Sequence, residues 1–185
     1  MVYTVISATL SDNISCLSVK DTDDDLAEYA LQLRCIDCRE VNDSKVTVNR
    51  MEKYEMSSGK GEASLVMKCK FCGNDCSVNL EKYEEKLYNL DLEENGDVIN
   101  KQLLQRKKKG IKKVEDSRAV ALELDCRGCD VFAVDFSNLT FNVEMVSGNV
   151  LEASFGDENE WYDYDDKAGE EVSVTDMSFE VVKGK

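Results

Sequence analysis

Apolar residues in this chain recur at every second position more often than at every third or fourth. Val2, Thr4, Ile6, Ala8 and Leu10 alternate with a more polar set, as do Tyr29, Leu31 and Leu33. The same rhythm runs through Phe132, Val134 and Phe136, then Leu139, Phe141, Val143 and Met145, and last Met177, Phe179 and Val181. Successive side chains on a strand point to opposite faces, so this period marks half-buried β-strands. Proline is absent, which leaves Gly, Asn and Asp to make the turns. The expected fold class is all-β.

One stretch, Glu81 to Val114, breaks the rhythm. It opens with Glu and Lys spacing that suits a short helix and passes through the acidic Asp91-Leu92-Glu93-Glu94-Asn95-Gly96. It ends in a basic run, Arg106 to Lys109 with Lys112 and Lys113. This reads as a long mobile loop or linker with helical pieces. A basic run can serve nuclear import or contact a polyanion, but a solvated loop is the favoured reading here.

A repeat lies across the linker. Ala30-Leu31-Gln32-Leu33-Arg34-Cys35-Ile36-Asp37-Cys38 recurs as Ala121-Leu122-Glu123-Leu124-Asp125-Cys126-Arg127-Gly128-Cys129, and more weakly as Leu65-Val66-Met67-Lys68-Cys69-Lys70-Phe71-Cys72. Each copy is a strand running into a Cys-x-x-Cys turn, with the first cysteine continuing the apolar face. Two similar β halves of barrel or sandwich type are therefore expected. Residues 1–90 would form one half, 91–117 a charged linker or insertion, and 118–185 the second half, packed on the first.

Composition narrows the function. The chain has 185 residues, enough for one domain or two small halves sharing a core, and carries a net charge of −15. A field of that sign repels nucleic acid and anionic membrane, while favouring solubility. No secretory signal or bilayer-spanning run is recognisable, so a cytoplasmic location is expected, with the nucleus as a second one. Eight cysteines in such a chain read as thiols or metal ligands. Histidine is absent, which removes Cys-His and Ser-His nucleophile pairs and mixed Cys/His zinc sites within this chain.

Zinc takes four soft ligands in a tetrahedron, and two Cys-x-x-Cys turns supply them because two intervening residues let both sulfurs bend toward one point. Cys35, Cys38, Cys69 and Cys72 are the candidate ligands of one structural Zn²⁺. The 30 residues between the pairs hold strand-like Val46-Thr47-Val48 and the flexible Ser57-Ser58-Gly59-Lys60-Gly61, enough to bring the turns together. Iron in a rubredoxin-like site would use the same ligands. A thioredoxin-like redox pair would need a helix after the turn, and neither turn has one. Four thiolates on Zn²⁺ leave no open coordination position, so such a site folds the chain rather than catalyses, and removing zinc should loosen at least the N-terminal half. Cys76 and Cys16 fall on apolar faces and read as core residues. Cys126 and Cys129 read as a vestigial copy of the first turn in preference to a second metal site.

Two other constellations draw the eye. Gly59-Lys60-Gly61 lacks the rest of a phosphate-binding loop and reads as a flexible turn. Glu160-Trp161-Tyr162-Asp163-Tyr164-Asp165-Asp166-Lys167 could supply a carboxylate pair for acid–base work or a hard-cation site. The favoured reading is a packed Trp and Tyr beneath a solvated acidic rim, with partner docking as the functional alternative.

The chain resembles the eukaryotic family of CXXC-motif-containing zinc-binding proteins nearly end to end. The resemblance rests on Leu33 to Cys38, on Gly59 to Cys72, on Cys126-Arg127-Gly128, and on Trp161 to Asp165 leading to Lys167. It implies an all-β fold of two similar halves and one zinc on Cys35, Cys38, Cys69 and Cys72, and it brings no reaction with it. Two features depart from the family pattern: the longer, more basic stretch from about Asp91 to Lys113, and Cys129. The functional expectation is a non-enzymatic, monomeric zinc-binding module for a protein partner, with no membrane or nucleic-acid role. The alternative is metal or thiol homeostasis through zinc buffering, metal transfer or a redox-sensitive zinc switch. An enzyme acting through the acidic segment is the third reading.

Overall fold

The structure is a computed structural model and describes residues 1–112 and 114–184. The chain opens with β1 (Val2–Leu10), β2 (Ile14–Val19), β3 (Tyr29–Cys35) and β4 (Val46–Val48). Then come β5 (Tyr54–Glu55), β6 (Glu62–Ala63), β7 (Leu65–Lys68), β8 (Asp75–Lys82) and β9 (Leu87–Tyr88). A 3-10 turn (Glu93–Asn95) leads into helix α1 (Gly96–Lys109). After it lie β10 (Ala119–Arg127), β11 (Cys129–Asp135), β12 (Phe141–Met145), β13 (Val150–Ala153), β14 (Trp161–Asp165) and β15 (Glu170–Lys183).

The largest sheet has strand order β14-β15-β1-β10-β8-β7 and curls into half a barrel. Strands from both ends of the chain share it: β1 lies between β10 and β15. A four-stranded sheet (β13-β12-β2-β9) and a three-stranded sheet (β11-β3-β4) accompany it. All three sheets bury residues in one cluster, among them Ile6, Leu124 and Met177 from the largest, Leu17 and Phe141 from the second, and Leu31 and Val131 from the third.

Alternation holds where one face of a strand is covered. Tyr29, Leu31, Leu33 and Cys35 are buried along β3, Cys76, Val78 and Leu80 along β8, and Phe141, Val143 and Met145 along β12. It fails in two places for physical reasons. Val2, Tyr3, Thr4, Val5 and Ile6 are all buried. On the second face of β1, Tyr3 packs in a separate cluster with Tyr83, Ile111 and Val120. In β11 the register against β3 shifts between Val131 and Ala133. A bulge of this kind reverses the alternation. Val131 and Val134 are therefore buried while Phe132, expected on the buried face, is exposed and lies under the Arg34 guanidinium, 5.9 Å from the ring centre.

The fold is mostly β rather than all-β, because the stretch expected as a loop or linker with helical pieces contains α1, 14 residues long. Its apolar positions are few, and Val98 and Leu104 are exposed. Polar anchors hold it instead. Gln102 accepts the Lys86 N–H (3.0 Å) and donates to the Lys86 carbonyl (3.1 Å), pairing with the backbone much as a strand would. Arg106 and Glu85 form a buried ion pair, with Nε 2.9 Å from both carboxylate oxygens. The guanidinium also donates to the carbonyls of Glu115 and Arg118, and Glu85 accepts the Val120 N–H at 2.8 Å. The helix then stops at Gly110, whose φ of 75° provides a left-handed cap.

Removing one partner of a buried pair strands the other's charge. Glu85→Ala is expected to cost about 3–5 kcal/mol in urea unfolding and to deprotect α1 in hydrogen exchange. Lys107→Ala, one residue along on the exposed side, should change stability by no more than about 0.5 kcal/mol.

Candidate metal centre

Two hairpin ends form the site. The first runs from β3 through Cys35-Ile36-Asp37-Cys38-Arg39-Glu40, closed by the Cys35 N–H to the Glu40 carbonyl (3.0 Å). The second runs from β7 through Cys69-Lys70-Phe71-Cys72-Gly73-Asn74 into β8, closed by the Cys69 N–H to the Asn74 carbonyl (2.8 Å). The residue after each second cysteine is left-handed, Arg39 at φ 67° and Gly73 at φ 76°. Main-chain N–H groups point at the sulfurs in the same way in both turns. Those of Asp37 and Cys38 reach Cys35, and those of Phe71 and Cys72 reach Cys69. Glu40 and Asn74 do the same for Cys38 and Cys72.

The turns face each other. Cys35 and Cys72 sulfurs are 3.7 Å apart, Cys38 and Cys69 sulfurs 3.6 Å, and all four lie within 4.8 Å of one another. A tetrahedral ion with Zn–S bonds of ~2.3 Å requires sulfur separations of about 3.8 Å, so the donor set fits. Electrostatics point the same way. The Cys38 N–H, with help from Asp37 and Asn74, holds the Cys35 thiol down at about 6, and the Cys72 N–H lowers Cys69. For Cys38 the Glu40 N–H acts downward, but burial and the neighbouring sulfurs outweigh it and push the thiol up to about 12. Cys72 is raised in the same manner, against the pull of the Asn74 N–H. Protein groups alone thus favour only some of these thiolates; a cation among them would stabilise the full set.

The profile of the family described as "CXXC motif containing zinc binding protein, eukaryotic" matches residues 4–182. The chain belongs to this family. The UPF0587 protein YCR090C of Saccharomyces cerevisiae is 43% identical over 183 residues, covering 99% of this chain and 98% of that protein. The CXXC motif containing zinc binding protein of Homo sapiens is 29% identical over 180 residues, covering 96% and 95% respectively. Two solved structures share the fold with coverage of 98% of both chains: C1orf123, at a TM-score of 0.73 and 23% identity, and a hypothetical protein from Plasmodium falciparum, at 0.70 and 16%.

In this CXXC zinc-binding protein the remaining cysteines stay outside the four-sulfur cluster. Cys16 lies in the core, and burial, with Glu144 nearby, pushes its thiol up to about 12. Cys76 is buried and raised to about 11, chiefly by desolvation, and burial likewise raises Cys129 and Cys126. The turn that joins β10 to β11 packs against the cluster's backbone. Cys129 pairs with Cys35 across β11 and β3, and Gly128 sits so close to Asp75 that a Cβ there would fall 1.9 Å from the Asp75 carbonyl oxygen. Two positions that cysteine counting could not find, Asn74 and Gly128, thus complete the surroundings of the sulfurs. Their sequence signals were slight: a residue after Cys72-Gly73, and a glycine inside the copy of the repeat that ends at Cys129.

The acidic aromatic segment divides by strand alternation. Trp161 is half-buried against the core, while Tyr162 and Tyr164 are 65% and 48% exposed, which corrects the expectation of packed tyrosines. Asp165 is buried and accepts from Ser147 Oγ (2.6 Å), Asn149 Nδ2 (3.0 Å) and the Lys167 N–H (3.1 Å), so it ties turns together. The Ser147 hydroxyl, with these other donors, holds its carboxyl below the usual range. In the basic run, Arg106 is buried and Lys109 bonds Glu123 over the Tyr83 ring; Lys107, Lys108 and Lys112 are exposed, and Lys113 lies outside the described residues.

The two glycines nearest the cluster should respond differently to a methyl group. Gly73→Ala meets open space and should cost about 1–2 kcal/mol, the left-handed backbone penalty. Gly128→Ala adds a main-chain clash and should cost roughly 2–4 kcal/mol. Urea unfolding of the metal-loaded variants measures both, and equal losses would contradict the close approach.

Proposed function

We propose that this protein is a non-enzymatic interaction module in which one structural zinc on Cys35, Cys38, Cys69 and Cys72 clamps two turns of the β scaffold together. The carrying observation is the four-sulfur cluster, whose separations suit a tetrahedral ion and which uses all four positions for protein ligands. Such a centre offers no coordination site to a substrate. The segment that would otherwise supply acid–base chemistry engages its buried carboxylate, Asp165, in three hydrogen bonds to neutral donors. A docking role for the segment is supported by the exposed Tyr162 and Tyr164 on the edge strand β14, among seven exposed carboxylates and one lysine between residues 156 and 171. That surface suits a protein partner presenting basic residues. The partner meets the module in the cytoplasm, with the nucleus as a second location.

Metal or thiol homeostasis is the second reading, favoured by one observation: Cys72 is exposed. Against it, Cys16, Cys76 and Cys129 are buried and offer no accessible thiols for exchange.

Native mass spectrometry with elemental analysis should find one zinc per chain, none in Cys69→Ser, and a lowered melting temperature for the stripped protein. Iron in place of zinc, or a stripped protein that melts unchanged, would defeat the structural-zinc reading. Proximity labelling in cells should lose a specific partner in a Tyr162→Ala, Tyr164→Ala double variant that keeps its zinc and its melting temperature. Rapid zinc transfer to a chelator without loss of structure would instead favour homeostasis.

A further inference from the structure

The two metal turns belong to the first part of the chain, yet both reach one main-chain atom from the turn between β10 and β11. The Gly128 carbonyl oxygen accepts the Ile36 N–H from the first turn at 3.2 Å and Asn74 Nδ2 from the second at 3.1 Å. It also accepts the Cys76 thiol at 3.3 Å. Asn74 has a second contact: the same carboxamide nitrogen lies 3.6 Å from Cys35 Sγ. An amide nitrogen carries two hydrogens, one for each acceptor. Turned over, the group would present its oxygen to a carbonyl oxygen and to a sulfur, both acceptors, so this orientation is the one the chemistry allows. Gly128 reaches this position only because it lacks a Cβ and adopts φ 73°.

A thiolate bound to a metal is a stronger acceptor than a neutral thiol. The bond from Asn74 to Cys35 therefore strengthens when the site is loaded, and it draws Asn74 and the Gly128 carbonyl into register with it. We propose that Asn74 is a positioning residue that couples metal occupancy of the four-cysteine site to the turn between β10 and β11, orienting the Cys35 sulfur through one N–H and holding that turn through the other. This rests on the zinc reading above. Coupling of this kind is reciprocal: if the contact with this turn favours metal binding, metal binding favours the contact by the same factor. The third Cys-x-x-Cys turn is then a support for the metal site and supplies a carbonyl where its relatives within the chain supply sulfurs.

Cobalt(II) is the probe, because its thiolate charge-transfer band reports the electron density on each ligand sulfur. In Asn74→Ala the metal affinity, measured by competition with a chelator, should fall roughly 10–100-fold, as for other residues that orient metal ligands. The charge-transfer band should move to longer wavelength, since a sulfur that loses a hydrogen bond becomes a better electron donor. Asn74→Asp, with an acceptor in place of the donor, should lower affinity further. A core change remote from the site, Phe155→Leu, controls for stability alone and should leave band position and affinity unchanged. Chelation of the wild-type protein should also deprotect amides between residues 126 and 131 in hydrogen exchange, and that response should vanish in Asn74→Ala. Wild-type affinity and band position in both Asn74 variants, or an equal shift in the Phe155 control, would overturn the coupling while leaving the zinc reading intact. A wild-type protein that takes up no metal would overturn both.

Discussion

Four sulfur atoms held within 4.8 Å of one another cannot readily all carry negative charge unless a cation sits among them. That constraint organises one end of the molecule. Each turn directs main-chain N–H groups at its own sulfurs, and each needs a left-handed residue straight after its second cysteine. The second turn meets that need with Gly73. The first uses Arg39, accepting a conformation that is costly for a residue with a side chain. Loaded, the two turns become one rigid corner, from which β3 leads into the three-stranded sheet and β7 and β8 into the half-barrel.

The other end of the molecule is held by different means. Where the core proper is apolar and drawn from all three sheets, α1 is fastened by hydrogen bonds and a buried ion pair. Arg106 spans three partners, Glu85 and the carbonyls of Glu115 and Arg118, and so gathers the segments on either side of the helix around one guanidinium. Buried pairs of this sort add little net stability over apolar packing, but they tolerate substitution poorly. The same excursion places Ile111 with Tyr3, Tyr83 and Val120, and this second small core lies on the face of β1 away from the main one.

These two ends explain what could be read in advance. Strands with one covered face, such as Cys76 to Leu80 and Phe141 to Met145, announced themselves through alternation. β1 announced itself in the same way but only by one face, because both its faces are buried near the start and Tyr3 and Val5 looked like members of the polar set. β11 misled because a single extra residue at its bulge turns Phe132 outward. The short helix suggested by the Glu and Lys spacing after Glu81 is instead the end of β8 and the strand β9, and α1 lies further along the chain. A helix anchored by Gln102 and Arg106 lacks the apolar stripe that periodicity detects, and its basic end looked wholly solvated when one of its charges is buried.

The candidate ligand set followed from the sequence because its determinants are local: two residues between paired cysteines, a suitable loop between the pairs, and no histidine to compete. The environment of that set did not, because it joins positions far apart along the chain. Asn74 meets Gly128 across 54 residues, and nothing in either neighbourhood records the distance between them. Which tyrosine faces water, which basic residue is buried and which glycine must stay glycine were likewise decided by tertiary packing. Local spacing can specify a set of donors, whereas the approach of one carbonyl to within hydrogen-bonding distance of two turns depends on where three separate turns come to rest.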